Sequence, residues 1–332
     1  MIPKPPCLRH AAALLALTFL ASIASPAFAA PIETQVEAHG PANVLRGTML
    51  APASGAKAPV VLIIPGSGPT DRDGNNPMGI RAATYRYLAQ ALADRGLTTV
   101  RIDKRGMFGS AAPGLDPNHI TIADYAADVH AWAAELRRQT GAPCVWVLGH
   151  SEGGLVAAKA AQDPTDICGI ILVSAAGRKL GDILREQLQA NPANEPLLPI
   201  AMPAIDALEA GRHVDVTNMP APLLPLFYPA VQDFLIDEMS YDPADLVAAY
   251  KGPVLVLQGG VDLQTSGADA TALAFARPGV SMNMLDGVNH VLKAAPRDRA
   301  ANLATYADPD LPLAPGVADP IVTFIEKHAR AR

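Results

Sequence analysis

The pentapeptide Gly149-His150-Ser151-Glu152-Gly153 joins a short apolar run, Val145 to Leu148, to a helix-like stretch from Ser151 to Gln162. A backbone that leaves a strand and enters a helix over so few residues must turn sharply at the serine. Side chains two positions to either side would then collide, which accounts for glycine at both. The strain of the turn lifts the Ser151 hydroxyl above the end of the sheet, so the pentapeptide already specifies a strand, a tight turn and a helix.

The rest of the chain keeps the same rhythm. Val60 to Ile64 is a continuous β-branched and apolar run ended by Pro65-Gly66-Ser67-Gly68-Pro69, the pattern of a buried strand followed by a wide loop. Ile80, Thr84, Tyr87, Leu88, Ala91 and Leu92 recur at helical spacing until Gly96, and Leu97 to Ile102 is the next strand. Thr121 with Asp124 three residues on reads as a capping box for a helix whose inner face is Ile122, Tyr125, Val129, Trp132 and Leu136, ended by Gly141-Ala142-Pro143. Gly169 to Val173, Val254 to Leu257 and Met282 to Leu285 are further strands; Thr265 to Ala276 and a segment carrying Ile321, Phe324, Ile325 and His328 are helices. Such alternation predicts an α/β fold with a mostly parallel sheet covered on both faces. Between Arg178 and Lys251 it breaks into Pro-rich helical pieces such as Ile183 to Leu188 and Val231 to Met239. We read residues 178–251 as an inserted helical cap between two parts of one core, 30–177 and 252–332.

Residues 1–29 are set apart. Lys4, Arg9 and His10 precede an apolar run from Ala11 to Ile23, followed by Ala27-Phe28-Ala29, the pattern of a secretory signal peptide cleaved after Ala29. Its loss leaves 24 basic against 32 acidic side chains and moves the formal charge from −6 to −8. An acidic chain without a basic run argues against nucleic acid as a partner. No later segment approaches 18 uninterrupted apolar residues, so the expected location is periplasmic or extracellular, without a membrane anchor after cleavage. Oligomeric state is not legible. Cys144 and Cys168 each open an expected strand, and an oxidising compartment allows them to pair; two buried thiols are the alternative, and the distance between strand starts decides.

A serine hydroxyl is a weak nucleophile at neutral pH and needs a base, with a third group to orient that base. At a strand-to-helix turn of this type the partners follow in the order nucleophile, acid, histidine. That order leaves His213, His290 and His328 of the eight histidines. His213 lies in the cap and His328 on the terminal helix, whereas His290 sits in Asp286-Gly287-Val288-Asn289-His290, a loop just past a strand. Asp262 follows Val254 to Gly260 and projects from the carboxyl end of its strand, where such sheets build their sites; Asp286 is its rival. The oxyanion formed on acyl transfer needs two preorganised donors. The Glu152 N–H supplies one, and the Gly66-Ser67-Gly68 loop supplies the other, through the Ser67 N–H. Gly66-x-Gly68 lacks the third glycine of a dinucleotide loop, and Asp71-x-Asp73-Gly74 does not have calcium-loop spacing.

Pro65 to Asn75, Asp103-Lys104-Arg105-Gly106, Gly149 to Gly153, Gln258-Gly259-Gly260-Val261-Asp262 and Asn289-His290 together resemble the secreted bacterial carboxylesterases of the α/β-hydrolase superfamily, in the branch related to serine aminopeptidases. The resemblance spans roughly residues 45 to 330. It implies an eight-stranded α/β-hydrolase fold, a triad of Ser151, Asp262 and His290, a small-molecule carboxylic ester as substrate, and no cofactor or metal. Gly260-Val261 departs from relatives that carry a polar residue before the aspartate.

Three readings of function follow. The first is a carboxylesterase for short to medium acyl esters, with Leu223, Leu224, Leu226, Phe227 and Tyr228 of the cap as an apolar acyl pocket. The second is an exported aminopeptidase-like, amide or thioester hydrolase; a peptidase would need a cap carboxylate for the substrate amine, for which Glu186, Glu195, Asp206 and Glu209 are available. The third is a silent binding module that keeps the fold. Arg72, Asp73 and Arg105 read as ion-pair partners that stiffen the loops above the sheet.

Overall fold

The structure is a computed structural model and describes residues 1–3, 30–53 and 58–330; the signal peptide expected over residues 1–29 falls, from position 4 onward, outside the described residues. Eight strands form one sheet: β1 (Ile32–His39), β2 (Val44–Ala51), β3 (Val60–Ile64), β4 (Thr98–Ile102), β5 (Val145–His150), β6 (Ile167–Val173), β7 (Val254–Gly259) and β8 (Ser281–Leu285), in the spatial order β1-β2-β4-β3-β5-β6-β7-β8. β2 runs antiparallel to both of its neighbours, and every other pairing is parallel. This is the mostly parallel eight-stranded sheet that the sequence resemblance implies.

The helices are α1 (Thr84–Ala93), α2 (Ile122–Thr140), α3 (Glu152–Ala160), α4 (Leu180–Gln189), α5 (Leu198–Glu209), α6 (Leu224–Phe227), α7 (Pro229–Met239), α8 (Pro243–Ala249), α9 (Gly267–Phe275), α10 (Arg299–Ala304) and α11 (Ala318–Ala329). The continuous apolar runs of the central strands are explained by burial on both faces. Leu62, Val147, Leu172 and Val256 point into one core with α2, α3 and α9, while their neighbours Ile63, Leu148, Ile171 and Leu257 point into another with α1 and α11. Each such fully buried aliphatic side chain contributes about 1.5–3 kcal/mol.

Three local features depart from, or complete, the sequence reading. The β1–β2 edge hairpin was not among the expected strands: β1 is mostly exposed and polar, and only Val36 and Ala38 turn inward. On α1 the buried stripe is Thr84, Tyr85, Leu88, Ala89 and Leu92, so Tyr85 and Ala89 replace the expected Tyr87 and Ala91; the helix starts only at Thr84 and its stripe is rotated by about one position. α2 carries both arms of the capping box, Thr121 Oγ1 accepting from the Asp124 N–H and the Asp124 carboxylate accepting from the Thr121 N–H, and Gly141 closes it in the left-handed region at φ 69°.

Between β6 and β7 the chain makes α4 to α8. Ala201, Ile205 and Leu208 of α5 pack with Leu223, Phe227 and Met239 in a core of their own. α8 turns back to the sheet, its Val247 joining the core under α3 and α9 together with Tyr250.

Cys144 and Cys168 form a disulfide with Cα atoms 5.2 Å apart, tying the amino ends of β5 and β6, at the end of the sheet opposite the Ser151 turn. The bond closes a separation of 24 residues, which by chain-entropy reasoning restricts the unfolded chain by roughly 3 kcal/mol. We expect Cys144→Ser with Cys168→Ser to lower the unfolding free energy by about that amount, read as a fall in the denaturant midpoint, and reduction of the parent to reproduce it. An unchanged midpoint in both would show that the bond does not form in solution.

Candidate active site

At the end of β5 the backbone approaches itself so closely that side chains have no room. A Cβ on Gly149 would overlap the carbonyl of Gly153, and one on Gly153 would overlap the carbonyls of Ile64 and Pro65. Ser151 is held between them at φ 55° and ψ −125°, outside the regions open to an unstrained L-residue. Its N–H is anchored to the Val173 carbonyl of β6 at 3.0 Å, and α3 begins at the next residue. The hydroxyl-bearing residue is half-buried, at the wall of a cavity of about 190 Å³ that also holds Ser67, Gln264 and His290.

His290 and Asp262 meet. His290 Nδ1 lies 2.9 Å from Asp262 Oδ2 and 3.1 Å from Oδ1, with the histidine side chain 5% exposed and the carboxylate 0%. Oδ1 also accepts the N–H groups of Gln264 and Thr265, and Oδ2 the Thr265 hydroxyl. Burial alone would raise this carboxyl, but facing His290 and accepting these hydrogen bonds brings it down to about 2. Asp262 is therefore ionised across the working range, and it holds the Nδ1 proton so that Nε2 is the nitrogen left with a free lone pair. Asp286, the rival acid, is exposed at the end of β8. His213 is on the surface with Asp233, and His328 bonds back to the Phe324 carbonyl on α11.

The loop after β3 faces this pair. The Gly66 N–H donates to Tyr85 Oη at 2.9 Å, whereas among the described residues no hydrogen bond engages the N–H of Ser67 or of Glu152. Those are the two donors expected for an oxyanion. Lys104, 3% exposed, braces them from beneath: its ammonium donates to the Gly66 carbonyl at 2.7 Å and to Glu152 Oε1 at 3.0 Å. The loop continues around the start of α1. The Asp73 carbonyl accepts the Tyr85 and Arg86 N–H groups, and Asn75 Oδ1 accepts that of Ala83.

The charged residues of the loops are structural partners. Arg72 Nε and N–H both donate to Asp103 at 2.9 Å, Asp73 pairs with Arg101, and Arg105 bonds Asp128 at 2.9 Å and Asp124 at 3.2 Å. The cap carboxylates are also engaged. Glu186 pairs with Arg178, Asp206 and Glu209 pair with Arg185, and Glu195 is exposed.

A second cavity, about 410 Å³, meets the first at Gly68 and is walled by Met107, Phe108, Tyr125, Val231 and Phe234, with Glu152 at its base. The cap residues expected to wall an acyl pocket, Leu223, Leu224, Leu226, Phe227 and Tyr228, do not line either cavity. Leu223 and Phe227 pack inside the cap with Leu226, and Tyr228 is 58% exposed, so the apolar cluster nearest in sequence serves the cap itself.

Sequence reasoning missed Tyr85, Lys104 and His150. His150 is 5% exposed; its Nδ1 lies 2.9 Å from Tyr85 Oη and its Nε2 2.8 Å from the His290 carbonyl. The helical period that includes Tyr85, Leu88 and Leu92 was available as a signal, but nothing in the sequence says that a tyrosine on α1 reaches the strand end. Glu238 of α7 is likewise buried, which pushes its carboxyl well up, and the charge of Glu152 pushes it further. Among the described residues no group of three or more His, Cys, Asp or Glu is arranged to hold a metal ion, and no helix is long and apolar enough to cross a membrane.

Comparison with known proteins agrees with this architecture. The profile of the serine aminopeptidase family, S33, matches residues 78–217. The chain is 24% identical over 257 residues to esterase EstD of Thermotoga maritima, an alignment covering 75% of this chain and 58% of that protein. Among solved structures it resembles Est1E from Butyrivibrio proteoclasticus (TM-score 0.55, 14% identity, 89% of this chain and 99% of that one). It also resembles the α/β hydrolase GrgF from a Penicillium species (TM-score 0.56, 17% identity, 90% and 99%). The fold is that of the α/β-hydrolases.

His150 supplies a test of the site's electrostatics. Burial, and the neighbouring His290, lower it to about 3, while Tyr85 and the more distant Asp262 carboxylate face it as well. An unfolded histidine titrates near 6.5, so between about 6.5 and 3 the unfolded chain binds one more proton and stability falls as pH drops. The loss is at most about 1.4 kcal/mol per pH unit. Urea unfolding at pH 7, 5 and 4 should therefore show a steeper acid loss in the parent than in His150→Asn; equal slopes would mean that His150 is not held neutral.

Proposed function

We propose that this α/β-hydrolase is an exported serine carboxylesterase that hydrolyses short to medium acyl esters through an acyl-enzyme. One observation carries the reading: His290, locked on Asp262 through Nδ1, shares a small cavity with a strained Ser151 and with Ser67, whose N–H is uncommitted. In the reaction Ser151 Oγ attacks the ester carbonyl while His290 Nε2 takes its proton. Ionised Asp262 stabilises the imidazolium, and the N–H groups of Ser67 and Glu152 take the developing oxyanion. Collapse of the tetrahedral intermediate breaks the bond to the alkoxide, which leaves with the proton from His290. Water then repeats the sequence on the acyl-enzyme, releasing the acid and free serine.

The apolar cavity beyond Gly68 supports the assignment of acyl length. It lies on the donor side of Ser151, and Val231 and Phe234 of α7 form its far wall, so the cap sets its depth. Export is proposed from the signal-peptide pattern of residues 1–29, and the Cys144–Cys168 disulfide suits an oxidising compartment. A second reading, an aminopeptidase-like hydrolase, rests on the S33 profile match. The arginine partners of Glu186, Asp206 and Glu209 leave those carboxylates poorly placed to receive a substrate amine.

Ser151→Ala should lower hydrolysis of p-nitrophenyl butyrate by about 10⁴-fold or more, and Asp262→Asn by a similar factor. Turnover of an alanyl anilide but of no simple ester would move the assignment to the peptidase. Phe234→Ala should shift the optimum of kcat/KM toward longer chains in a series from acetate to palmitate, and Val231→Phe toward shorter ones. A profile unmoved by both would place the acyl group elsewhere.

A further inference from the structure

His150 and Tyr85 stand outside the mechanism above, yet they connect its two halves. The Gly66 N–H donates to Tyr85 Oη at 2.9 Å; Tyr85 Oη lies 2.9 Å from His150 Nδ1; His150 Nε2 lies 2.8 Å from the carbonyl of His290. Only one proton arrangement satisfies every atom in this row. The His290 carbonyl accepts, so Nε2 carries the imidazole proton; Nδ1 is then the acceptor of the tyrosine O–H, and the phenol oxygen is free to receive the Gly66 N–H. All three side-chain polar atoms are buried and committed. The Thr84 hydroxyl adds a parallel tie, donating to the Val291 carbonyl at 3.1 Å.

We propose that Tyr85 and His150 are positioning residues, a neutral hydrogen-bonded strut that sets the oxyanion loop and the histidine loop at the spacing acyl transfer requires. The inference rests on the esterase reading and names how that site is kept assembled. The strut works because it runs through the nucleophile turn itself: His150 is the residue before Ser151, so donors, nucleophile and base are referred to one rigid strand end. Gly66 spends its N–H on Tyr85, which turns the next N–H, that of Ser67, toward the reacting carbonyl.

The neutrality of the strut also matters. The His150 ring centroid is 4.8 Å from that of His290, close enough for a second cation to oppose the imidazolium formed when Ser151 is deprotonated. Burial holds His150 uncharged down to about pH 3 and raises the Tyr85 phenol far above the working range, so neither group changes charge during turnover. An aspartate at this turn would supply a carbonyl-like acceptor for Tyr85 but no donor for the His290 loop, whereas imidazole supplies both.

The test uses the folded mature chain with an alkyl fluorophosphonate to count active sites and p-nitrophenyl butyrate as substrate. Tyr85→Phe should lower kcat per labelled site by tenfold to a hundredfold, because displacement of reacting groups by an ångström or less carries a penalty of that order. KM should stay within threefold, and phosphonylation should slow in parallel with kcat. His150→Asn keeps an acceptor near the Nδ1 position, and His150→Gln keeps a donor near the Nε2 position, so each should lose part of the rate. A purely structural role would reduce the labelled fraction and leave kcat per labelled site unchanged. Parental kcat per site in Tyr85→Phe overturns the proposal while leaving the esterase reading intact. If Tyr85→Phe does not fold, parental kcat per site in both His150 variants overturns it equally. A parent chain that neither labels nor turns over ester overturns the esterase reading, and the strut falls with it.

Discussion

The site depends on how closely the backbone at the end of β5 can approach the carbonyls of β3 and α3. Glycine at 149 and 153 is the condition for that approach, because any Cβ there meets a carbonyl oxygen instead of space. Once the strand end is compressed, Ser151 takes a backbone conformation that costs of order 1–3 kcal/mol, offset by packing of the central strands on both faces of the sheet. The strain is thereby localised at one residue. Its N–H is pinned to β6, its carbonyl accepts from Gly154, and its side chain has little freedom to leave the cavity it faces.

Around this point the loops are held by buried charge. Arg72 with Asp103, Arg105 with Asp128 and Lys104 with Glu152 are the buried pairs, Arg101 of β4 adds a pair to the more exposed Asp73, and together they tie the segments following β3 and β4 to α2 and α3. Buried ion pairs of this kind add little net stability, since desolvation cancels most of the attraction, but breaking one leaves an uncompensated charge. They act as constraints on shape. Lys104 illustrates the point: one ammonium fixes both the Gly66 carbonyl and the side chain of Glu152.

The cap and the core divide the remaining work. α4 to α7 form an apolar core of their own, while Phe234 of α7 also packs against the main core and, with Val231, lines the cavity that meets the Ser151 cavity at Gly68. The candidate catalytic residues therefore sit at strand ends, and one cap helix walls the adjoining cavity.

The sequence by itself determined the strand–turn–helix at Ser151, the alternation of buried strands and helices and the α2 capping box, and it singled out Asp262 and His290, which the fold brings together. Each is a local pattern: continuous apolar runs, glycines flanking a serine, a threonine three residues before an aspartate, polar residues just past strand ends. Only the tertiary structure decided which residues meet. The edge hairpin β1–β2 pairs with β4 although little of β1 is apolar. Tyr85 reaches His150 from 65 positions away, and His150 reaches the His290 carbonyl from 140. Leu223, Leu226 and Phe227 of the cap, apolar enough to line a pocket, instead fill the cap's interior, leaving the cavity wall to Phe108, Tyr125, Val231 and Phe234. Periodicity reports which face of an element is buried, but not what it is buried against, because that depends on the packing of segments far apart in the chain.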